Sequence, residues 1–429
     1  MTEKTTNGLH FLRTFIAGAV MVIIIIGLGL VLMSINQATR PEAESGEPVD
    51  ALALSTDECV TCHRKESPGI VEQYGHSTMA AAEVSCRDCH EVASDYPGAV
   101  EHEGTYVLAS PSSAMCEACH QQEVAEFNQS RHSLPAYIAV VGTEGLSEEH
   151  MALYESIPEG MYTPDKSRNA IAALEGPDMT RFTCLGCHNI GKPAPDGSVG
   201  QCQKCHLRHR YSLEQARKPE TCNYCHIGPD HPQFEIYQES PHGIAYATLG
   251  EEWDWEAEAG TLTTEEFSAA TCAICHMSGF GTQPTTHDVG ERLTWYLFAP
   301  VSTRRPNWEE NMADMQGVCT ECHNENFIGD FYTAADKATQ RVNEWVLESQ
   351  DIIAPLEEQA LLTDAPFDEP IDYEFFNLWH HWGRTAKFGT WMQGPDYAQW
   401  HGAYEVLHSL AKLKEMVTDK LGASGEVQP

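Results

Sequence analysis

The pattern of apolar and polar positions begins with one long apolar run near the N-terminus. Residues 15–33 are almost wholly apolar. A run of this length approaches the thickness of a bilayer core, so the pattern predicts a transmembrane anchor within residues 1–37. Lys4 and Arg13 precede the run, and four acidic residues follow it within 42–50. The basic residues predict that the N-terminus lies in the cytoplasm and the rest of the chain outside it.

The residues after the apolar run bear on whether this segment is an anchor or a removable signal peptide. A signal peptide usually has a shorter apolar region that ends in a small-residue cleavage site, and Asn-Gln-Ala at 36–38 fits such a site poorly. We therefore favour an uncleaved anchor. Residues 38–58 are rich in Pro, Glu and Ser and predict a linker that holds the following domain away from the membrane.

The pattern in the remaining chain predicts helices and loops. Little strand alternation occurs anywhere, which predicts a mainly α fold with long loops. In the predicted C-terminal helical region, 324–429, apolar residues recur at helical spacing through 345–361, where Pro355 is expected to kink the helix. Further helical runs cover about 373–392 and 397–419. We expect these helices to serve packing and oligomerisation.

Cysteine is confined to one repeated motif. All 16 Cys fall in eight C-x-x-C-H motifs within residues 59–323. This motif attaches c-type haem, because two thiols bond to the porphyrin and the adjacent His ligates the iron. The attachment cysteines are Cys59, Cys62, Cys86, Cys89, Cys116, Cys119, Cys184, Cys187, Cys202, Cys205, Cys222, Cys225, Cys272, Cys275, Cys319 and Cys322. The proximal iron ligands are His63, His90, His120, His188, His206, His226, His276 and His323.

The number of motifs separates a cytochrome from the other interpretations of paired cysteines. Structural zinc or disulfides could explain one C-x-x-C-H, but not eight with no cysteine left over. The sequence therefore predicts eight covalently bound haems in an octahaem domain, 59–323, whose core is largely porphyrin. Haem is attached to c-type cytochromes outside the cytoplasm, which agrees with the predicted orientation of the anchor.

The net charge of −37 bears on partners. It argues against nucleic acid, whose phosphate backbone favours a basic protein face. Solubility alone would explain the acidity. A more specific interpretation is a docking surface for a basic redox partner.

Thirteen of the 21 His lie outside the motifs and supply candidate distal ligands. Electron-transfer haems are commonly capped by a second His, whereas a catalytic haem leaves one iron position open. Seven capped haems and one open haem would need seven distal ligands. The candidates are His76, His102, His132, His209, His242, His287 and one of His380 and His381, with His381 preferred. For each, a surface or hydrogen-bonded histidine is the alternative, and His401 and His408 also stay open as ligands.

Asp230 and His231 form a different kind of candidate. They follow the proximal His226 after a turn that contains Gly-Pro. A carboxylate beside an imidazole can accept protons from a small nitrogenous substrate while electrons leave through iron. The structural alternative is a helix-capping Asp beside a structural His.

At these residues the sequence resembles the hydroxylamine oxidoreductase family of octahaem cytochromes c. The resemblance rests on C-N-Y-C-H-I-G-P-D-H-P-Q (222–233), S-P-H-G (240–243), T-R-R-P-N-W (303–308) and G-P-D-Y-A-Q-W-H-G-A-Y-E (394–405). With the eight haem motifs, it covers about residues 55–415. The combined set is specific, whereas any one stretch alone is weak.

The resemblance implies a particular catalytic centre. The fourth haem, attached to Cys184 and Cys187, would be five-coordinate and catalytic, with Asp230 and His231 on its distal side. Tyr397 from a neighbouring subunit would be covalently bonded to its porphyrin, which favours oxidation of the substrate over reduction. The family is typically homotrimeric. Without the resemblance, Tyr397 would be interpreted as an ordinary packing aromatic.

Three functions are compatible with these features. The first is an anchored, trimeric octahaem enzyme that oxidises hydroxylamine or hydrazine and passes electrons to a cytochrome c or a quinone-linked acceptor. The second is a reductase of nitrite or hydroxylamine to ammonia. Lys-ligated nitrite reductases fit less well, because every motif here ends in His. The third is a non-enzymatic electron conduit in which all eight haems carry two His ligands.

Overall fold

The computed structural model describes most of the chain outside its N-terminal segment. The described residues are 57–158, 162–260, 262–296 and 300–425. The predicted anchor, 1–37, and the linker up to residue 56 lie outside them. Within the described part, no helix is both long and apolar enough to cross a membrane. The chain divides into two units, Met1–Thr61 and Cys62–Pro429.

The haem-motif part of the chain consists of short helices joined by long loops. The α-helices are Glu58–Glu66, Pro68–Gly75, Thr78–Ala81, Cys86–His90, Ser113–Glu117, Gln121–Gln129, Leu134–Val141, Glu148–Ser156, Ala170–Phe182, Cys184–His188, Leu213–Arg217, Pro219–Asn223, Gln233–Glu239, Pro241–Leu249, Cys272–His276 and Trp308–Thr320. Among described residues, the one sheet pairs Val100–His102 with Thr105–Val107 in antiparallel register. The predicted mainly α fold with long loops is confirmed.

Local backbone chemistry sets the limits of these short helices. Thr271 Oγ1 accepts a hydrogen bond from a backbone N–H in the first turn of Cys272–His276. The Ala170–Phe182 helix is kinked at Gly176, whose φ of 79° is favourable only for glycine, immediately before Pro177. The helices are therefore short, and the chain changes direction frequently between one haem motif and the next.

The C-terminal region has longer helices and two π-helical stretches. The α-helices are Glu325–Glu358, Pro370–Phe376, Arg384–Trp391, Pro395–Ala398 and Tyr404–Gly425, and the π-helical stretches are Asn377–Gly383 and Gln399–Ala403. Pro355 does not interrupt its helix, which continues to Glu358. The proline lies in the last turn, where only three helical residues follow it. The helix is therefore continuous through Pro355, and the predicted kink stays a prediction.

The C-terminal helices enclose the largest apolar core of the described chain. Its buried members are Val342, Val346, Ile353, Leu356, Ile371, Leu378, Ala386, Val406, Leu410, Leu413 and Val417. They come from both long helices and from the segment between them. A core of this kind stabilises helices through side-chain packing that needs no cofactor.

Arg304 joins the 303–308 segment to the long C-terminal helix. Its guanidinium forms an ion pair with Asp336, with Nη2 2.6 Å from Oδ2. The same group lies against the rings of Trp295 and Trp308, at 4.1 and 4.3 Å from their centroids. The T-R-R-P-N-W sequence thus connects the haem-bearing part to the Glu325–Glu358 helix.

Candidate haem centres and active site

Five pairs of imidazole rings face each other across gaps of similar width. They are His63 with His102 (6.0 Å between ring centroids), His90 with His209 (6.3 Å), His132 with His226 (6.0 Å), His206 with His287 (6.3 Å) and His242 with His323 (6.1 Å). Each pair joins a motif histidine to a predicted distal histidine. Two imidazoles bound to one iron through N–Fe bonds of about 2 Å have centroids about 6 Å apart. The residues therefore fit a haem iron between the rings of each pair.

Three motif histidines have no such partner within the described part of the chain. They are His120, His188 and His276. Of the seven predicted distal ligands, His76 and His381 are not placed opposite a motif imidazole at this spacing. His381 instead lies beside His380 and Trp382. Iron ligation by all seven distal candidates stays a prediction, which the ring spacing supports for the five paired histidines only.

Attachment motifs that are distant in sequence meet through their cysteine side chains. The thiols that lie beside each other are those of Cys116 and Cys202, Cys187 and Cys225, and Cys222 and Cys272. These contacts join the third motif to the fifth, the fourth to the sixth, and the sixth to the seventh. Because each cysteine bonds to a porphyrin edge, haems attached here would lie edge to edge. The arrangement is suited to short electron-transfer steps.

The imidazole of His188 is oriented by a neighbouring helix. Its Nδ1 lies 2.8 Å from the carbonyl oxygen of Ala136, in Leu134–Val141. A hydrogen bond at Nδ1 directs the other ring nitrogen towards iron. Burial lowers the pKa of His188, which favours the neutral form that binds a metal. Asp230, His231 and Arg384 lie within electrostatic range of His188.

Asp230 and His231 are in direct contact. Asp230 Oδ2 lies 2.7 Å from His231 Nδ1. Burial alone would raise the pKa of Asp230, but the hydrogen bond and charge of His231, with charge from His380 and His381, hold it well below its usual range. The carboxylate is therefore ionised and accepts the His231 Nδ1–H. The Asp230 carboxylate thus bonds to the His231 side chain, and the helix that follows begins after Pro232. This arrangement does not match the alternative in which Asp230 caps a helix.

A second group of polar side chains lies beside this pair. His380 and His381 belong to the π-helical stretch Asn377–Gly383, and Arg384 follows directly. Arg384 Nη1 lies 3.0 Å from His380 Nε2. Burial lowers the pKa of Arg384 to about 10, partly offset by Asp230, so the guanidinium stays charged at neutral pH. A half-buried cation thus accompanies the carboxylate in this neighbourhood.

A hydrogen bond joins the segment that carries Asp230 to the segment that carries Arg384. Thr385 Oγ1 donates a hydrogen bond to the carbonyl oxygen of Pro229, at 3.1 Å. Pro229 immediately precedes Asp230, and Thr385 immediately follows Arg384. The sequence reasoning missed Arg384, although the W-H-H-W-G-R run at 379–384 offered a signal. Two adjacent histidines followed by arginine were interpreted only as a source of one iron ligand.

Tyr397 lies in the short Pro395–Ala398 helix, which precedes the C-terminal helix. Its ring stacks on His401, with centroids 4.8 Å apart and an interplanar angle of 25°. Burial raises the pKa of Tyr397, as do the negative charges of Glu235, Glu239 and Asp396. The tyrosine is therefore neutral at physiological pH. The bond to a neighbouring subunit's porphyrin stays a prediction.

Known proteins share this fold and part of this sequence. A curated protein of Kuenenia stuttgartiensis, described as a "Probable nitrite reductase-hydroxylamine oxidoreductase fusion protein", is 25% identical over 73% of this chain. The alignment spans 39% of that relative, less than half of its length.

Two solved structures superpose on most of the chain. One, described as "Hypothetical multiheme protein", has a TM-score of 0.73 at 20% identity and covers 86% of this chain and 96% of its own. The other is the Kuenenia stuttgartiensis reducing HAO-like protein complex, with a TM-score of 0.64 at 18% identity, covering 86% of this chain and 85% of its own. At these identities the likeness shows a shared fold.

A protein-family match covers residues 82–370 and is described as "Seven times multi-haem cytochrome CxxCH". That range contains seven of the eight motifs, because the first, 59–63, precedes it. Together with the relatives, the match confirms the predicted resemblance to hydroxylamine oxidoreductase-like multihaem proteins. It supports covalently bound haem c and a redox enzyme at the level of the family. The chain belongs to the multihaem cytochrome family that carries repeated C-x-x-C-H motifs.

Proposed function

We propose that this chain forms a membrane-anchored, extracytoplasmic homotrimer with eight haems per subunit, which oxidises hydroxylamine or hydrazine. The reaction would occur at the haem attached to Cys184 and Cys187. The observation that carries the proposal is the 2.7 Å contact between Asp230 and His231 near His188. His188 is also one of three motif histidines without an opposing imidazole among the described residues, a condition that an open iron position requires.

The acid-base pair gives each proton a defined acceptor. Because ionised Asp230 accepts the Nδ1–H of His231, Nε2 carries the lone pair in the neutral tautomer. That nitrogen can take a proton from substrate nitrogen or oxygen, and the adjacent carboxylate stabilises the imidazolium that forms. When bound, the haem supplies an open iron position and an acceptor for electrons.

Electrons would leave through the neighbouring attachment sites. The contact between Cys187 and Cys225 places the fourth motif beside the sixth, and Cys222 with Cys272 extends the route to the seventh. A cytochrome c or a quinone-linked protein would receive the electrons. The acidic surface implied by a net charge of −37 favours a basic partner.

Reduction of nitrite or hydroxylamine is the second candidate function. Arg384 favours it, because a half-buried guanidinium in this neighbourhood attracts an anion such as nitrite more strongly than neutral hydroxylamine. Tyr397 favours oxidation instead, since the family's reductive members lack this tyrosine. The two candidate functions therefore make different predictions for Tyr397: a covalent bond to the porphyrin for the oxidative enzyme, and no such bond for the reductase.

An optical spectrum of the dithionite-reduced, purified holoprotein tests the proposal. The wild type should show an absorption band well to the red of ordinary c-haem, and Tyr397→Phe should lack it at equal haem content. Hydroxylamine should also reduce the wild-type haems without another electron donor.

Other spectra would favour the other candidate functions. If both proteins lack the band but cyanide still perturbs one haem, the reductase is favoured. If no small ligand perturbs any haem, the chain is an electron conduit.

A further inference from the structure

The Gln233–Glu239 helix lies between two segments of the candidate active site. At its start, Glu235 Oε1 accepts a hydrogen bond from Gly228 N at 3.0 Å, in the turn that carries Asp230. At its end, Glu239 Oε1 accepts hydrogen bonds from the backbone N–H groups of the Tyr397 turn. Two glutamates four residues apart share one face of the helix. One helix therefore contacts two segments of the same chain. We call residues 228–231, which carry Asp230 and His231, the acid-base turn, and residues 394–397, which carry Tyr397, the tyrosine turn.

Glu239 holds the tyrosine turn through two donors at once. Its Oε1 lies 3.0 Å from Asp396 N and 3.2 Å from Tyr397 N. These donors open the short Pro395–Ala398 helix, where backbone N–H groups lack helical partners. One carboxylate oxygen therefore fixes the backbone of Tyr397 itself.

The tyrosine turn lies so close to this helix that only glycine fits at position 394. A Cβ on Gly394 would lie 2.6 Å from Ile236 Cγ2 and 2.7 Å from Glu239 Oε1. The φ of Gly394 is −94°, so close approach, and not backbone conformation, requires the glycine. The turn consequently has little freedom to slide along the helix.

His401 contacts the ring of Tyr397, whereas Glu239 contacts its backbone. The imidazole stacks on Tyr397 at 4.8 Å between centroids, and His401 Nδ1 lies 3.0 Å from Asp396 Oδ2. Glu239 thus fixes the backbone of the turn, while Asp396 and His401 direct the ring. These groups orient the side chain within its own subunit, before any neighbour is present.

We propose that Glu239 is a positioning residue for Tyr397 and that the Gln233–Glu239 helix mechanically joins the acid-base pair of one subunit to the tyrosine it supplies to the next. The inference rests on the proposed function, since it concerns the tyrosine's bond to a porphyrin. Joining the Tyr397 ring to a porphyrin carbon removes one hydrogen from each partner. The two electrons released would pass to ferric haems, when these are bound, and the two protons would pass to solvent.

The test compares the red-shifted band per haem in purified holoproteins. Glu239→Ala removes the acceptor and should lower the band about tenfold, because a displacement of about 1 Å prevents productive geometry. Glu239→Gln keeps an oxygen in the same place and should retain the band. Gln238→Ala, an exposed neighbour on the same helix, is the matched control and should behave as wild type.

Haem content and subunit number, measured by light scattering, show whether each variant is assembled. If Glu239→Ala fails to assemble, Glu239→Asp replaces it, because the shorter side chain keeps the charge but cannot reach both donors; it should lose the band similarly. A full band in an assembled Glu239→Ala or Glu239→Asp protein would overturn the inference while leaving the proposed function intact. A wild type without the band would overturn the proposed function, and the inference with it.

Discussion

The haem-bearing part, 57–323, and the C-terminal helical part, 324–425, obtain their cores in different ways. In the first part, large apolar side chains beside the attachment motifs are exposed in the protein chain itself, such as Phe182 (78%), Tyr224 (60%) and Ile227 (50%). In the second part, eleven buried apolar residues form one continuous cluster. The first part has two smaller clusters, of eight and four buried residues, and covalent haem would cover the apolar side chains that these clusters leave exposed, whereas the second part packs mainly on itself.

The difference assigns separate tasks to the two parts. Five imidazole pairs at 6.0–6.3 Å show that the haem-bearing part is arranged around groups larger than its own side chains. The C-terminal helices can hold His380, Arg384 and Tyr397 in place through protein contacts alone. A rigid helical support beside a cofactor-filled region allows active-site side chains to be positioned accurately.

Preventing haem attachment should have the largest effect. When the full chain is produced in a cytoplasm without haem attachment, we expect chymotrypsin to digest residues 57–323 quickly and to leave a resistant fragment from 324–425. The apolar cluster of the C-terminal helices loses no member when haem is absent, whereas the haem-bearing part loses its porphyrins and keeps only two smaller apolar clusters. Mass spectrometry of the fragments over time gives the comparison.

The holoprotein, digested under the same conditions, is the control and should resist throughout. Equal digestion of the two parts in the haem-free chain would show that the C-terminal core also depends on haem.

Arg292→Met should produce the next largest effect, within the haem-bearing part. The buried Arg292 donates hydrogen bonds to four backbone carbonyls, those of Ile274, Cys275, Ser278 and Pro284. Leaving these acceptors without donors should cost about 3–5 kcal/mol of unfolding free energy. Differential scanning calorimetry of the holoprotein would measure the loss.

The effect of Arg292→Met should be local. Hydrogen exchange should increase around Cys272–His276 and remain unchanged in Tyr404–Gly425. Uniform loosening of both parts would contradict the separation between them.

The sequence predicted the chemistry of the motif part better than its shape. C-x-x-C-H names its own cofactor, so attachment sites could be found without any fold. Five of seven distal candidates also face a motif histidine, although His209 and His90 are far apart in sequence. Their pairing could not be predicted, because loops between covalently anchored groups follow no hydrophobic period.

The errors in the C-terminal part have a physical explanation. Periodicity located the helices, but it could not show that Pro355 lies only in a final turn. It also missed the π-helical stretch Asn377–Gly383, where the shifted hydrogen-bond pattern changes which face carries His380 and His381. The importance of Arg384 could not be predicted for a different reason. It depends on the proximity of Asp230, which lies more than 150 residues away in the sequence.

A smaller and pH-dependent effect is expected at Lys387 in the C-terminal part. The side chain is 1% exposed and bonds to Ser302, and burial lowers its pKa from 10.5 to about 7. Between these values the unfolded chain binds a proton that the folded chain does not, so Lys387 costs stability increasingly as pH falls from 10.5 to 7. Lys387→Met should therefore stabilise the protein at pH 7 by about 2 kcal/mol, after loss of the Ser302 hydrogen bond.

Thermal unfolding of both proteins at pH 7 and pH 10 tests the expected sign. The melting temperature of the variant should exceed that of the wild type at pH 7, with the difference shrinking towards pH 10. A difference that grows with pH would mean that Lys387 is charged in the folded protein and paired with an anion.

The smallest effect is expected at the ion pair that joins the two long C-terminal helices. Lys414 Nζ lies 2.8 Å from Glu348 Oε1, but the two side chains are 56% and 46% exposed. Water screens such a pair, so Lys414→Ala should change the unfolding free energy by less than about 0.5 kcal/mol.

The buried Leu413, its neighbour in sequence, provides the contrast: Leu413→Ala should cost about 2–5 kcal/mol. Calorimetry of both variants at low and high salt separates the contributions, because only the ion pair responds to salt. A loss above about 1.5 kcal/mol in Lys414→Ala would mean that charge, and not apolar packing, holds these helices together.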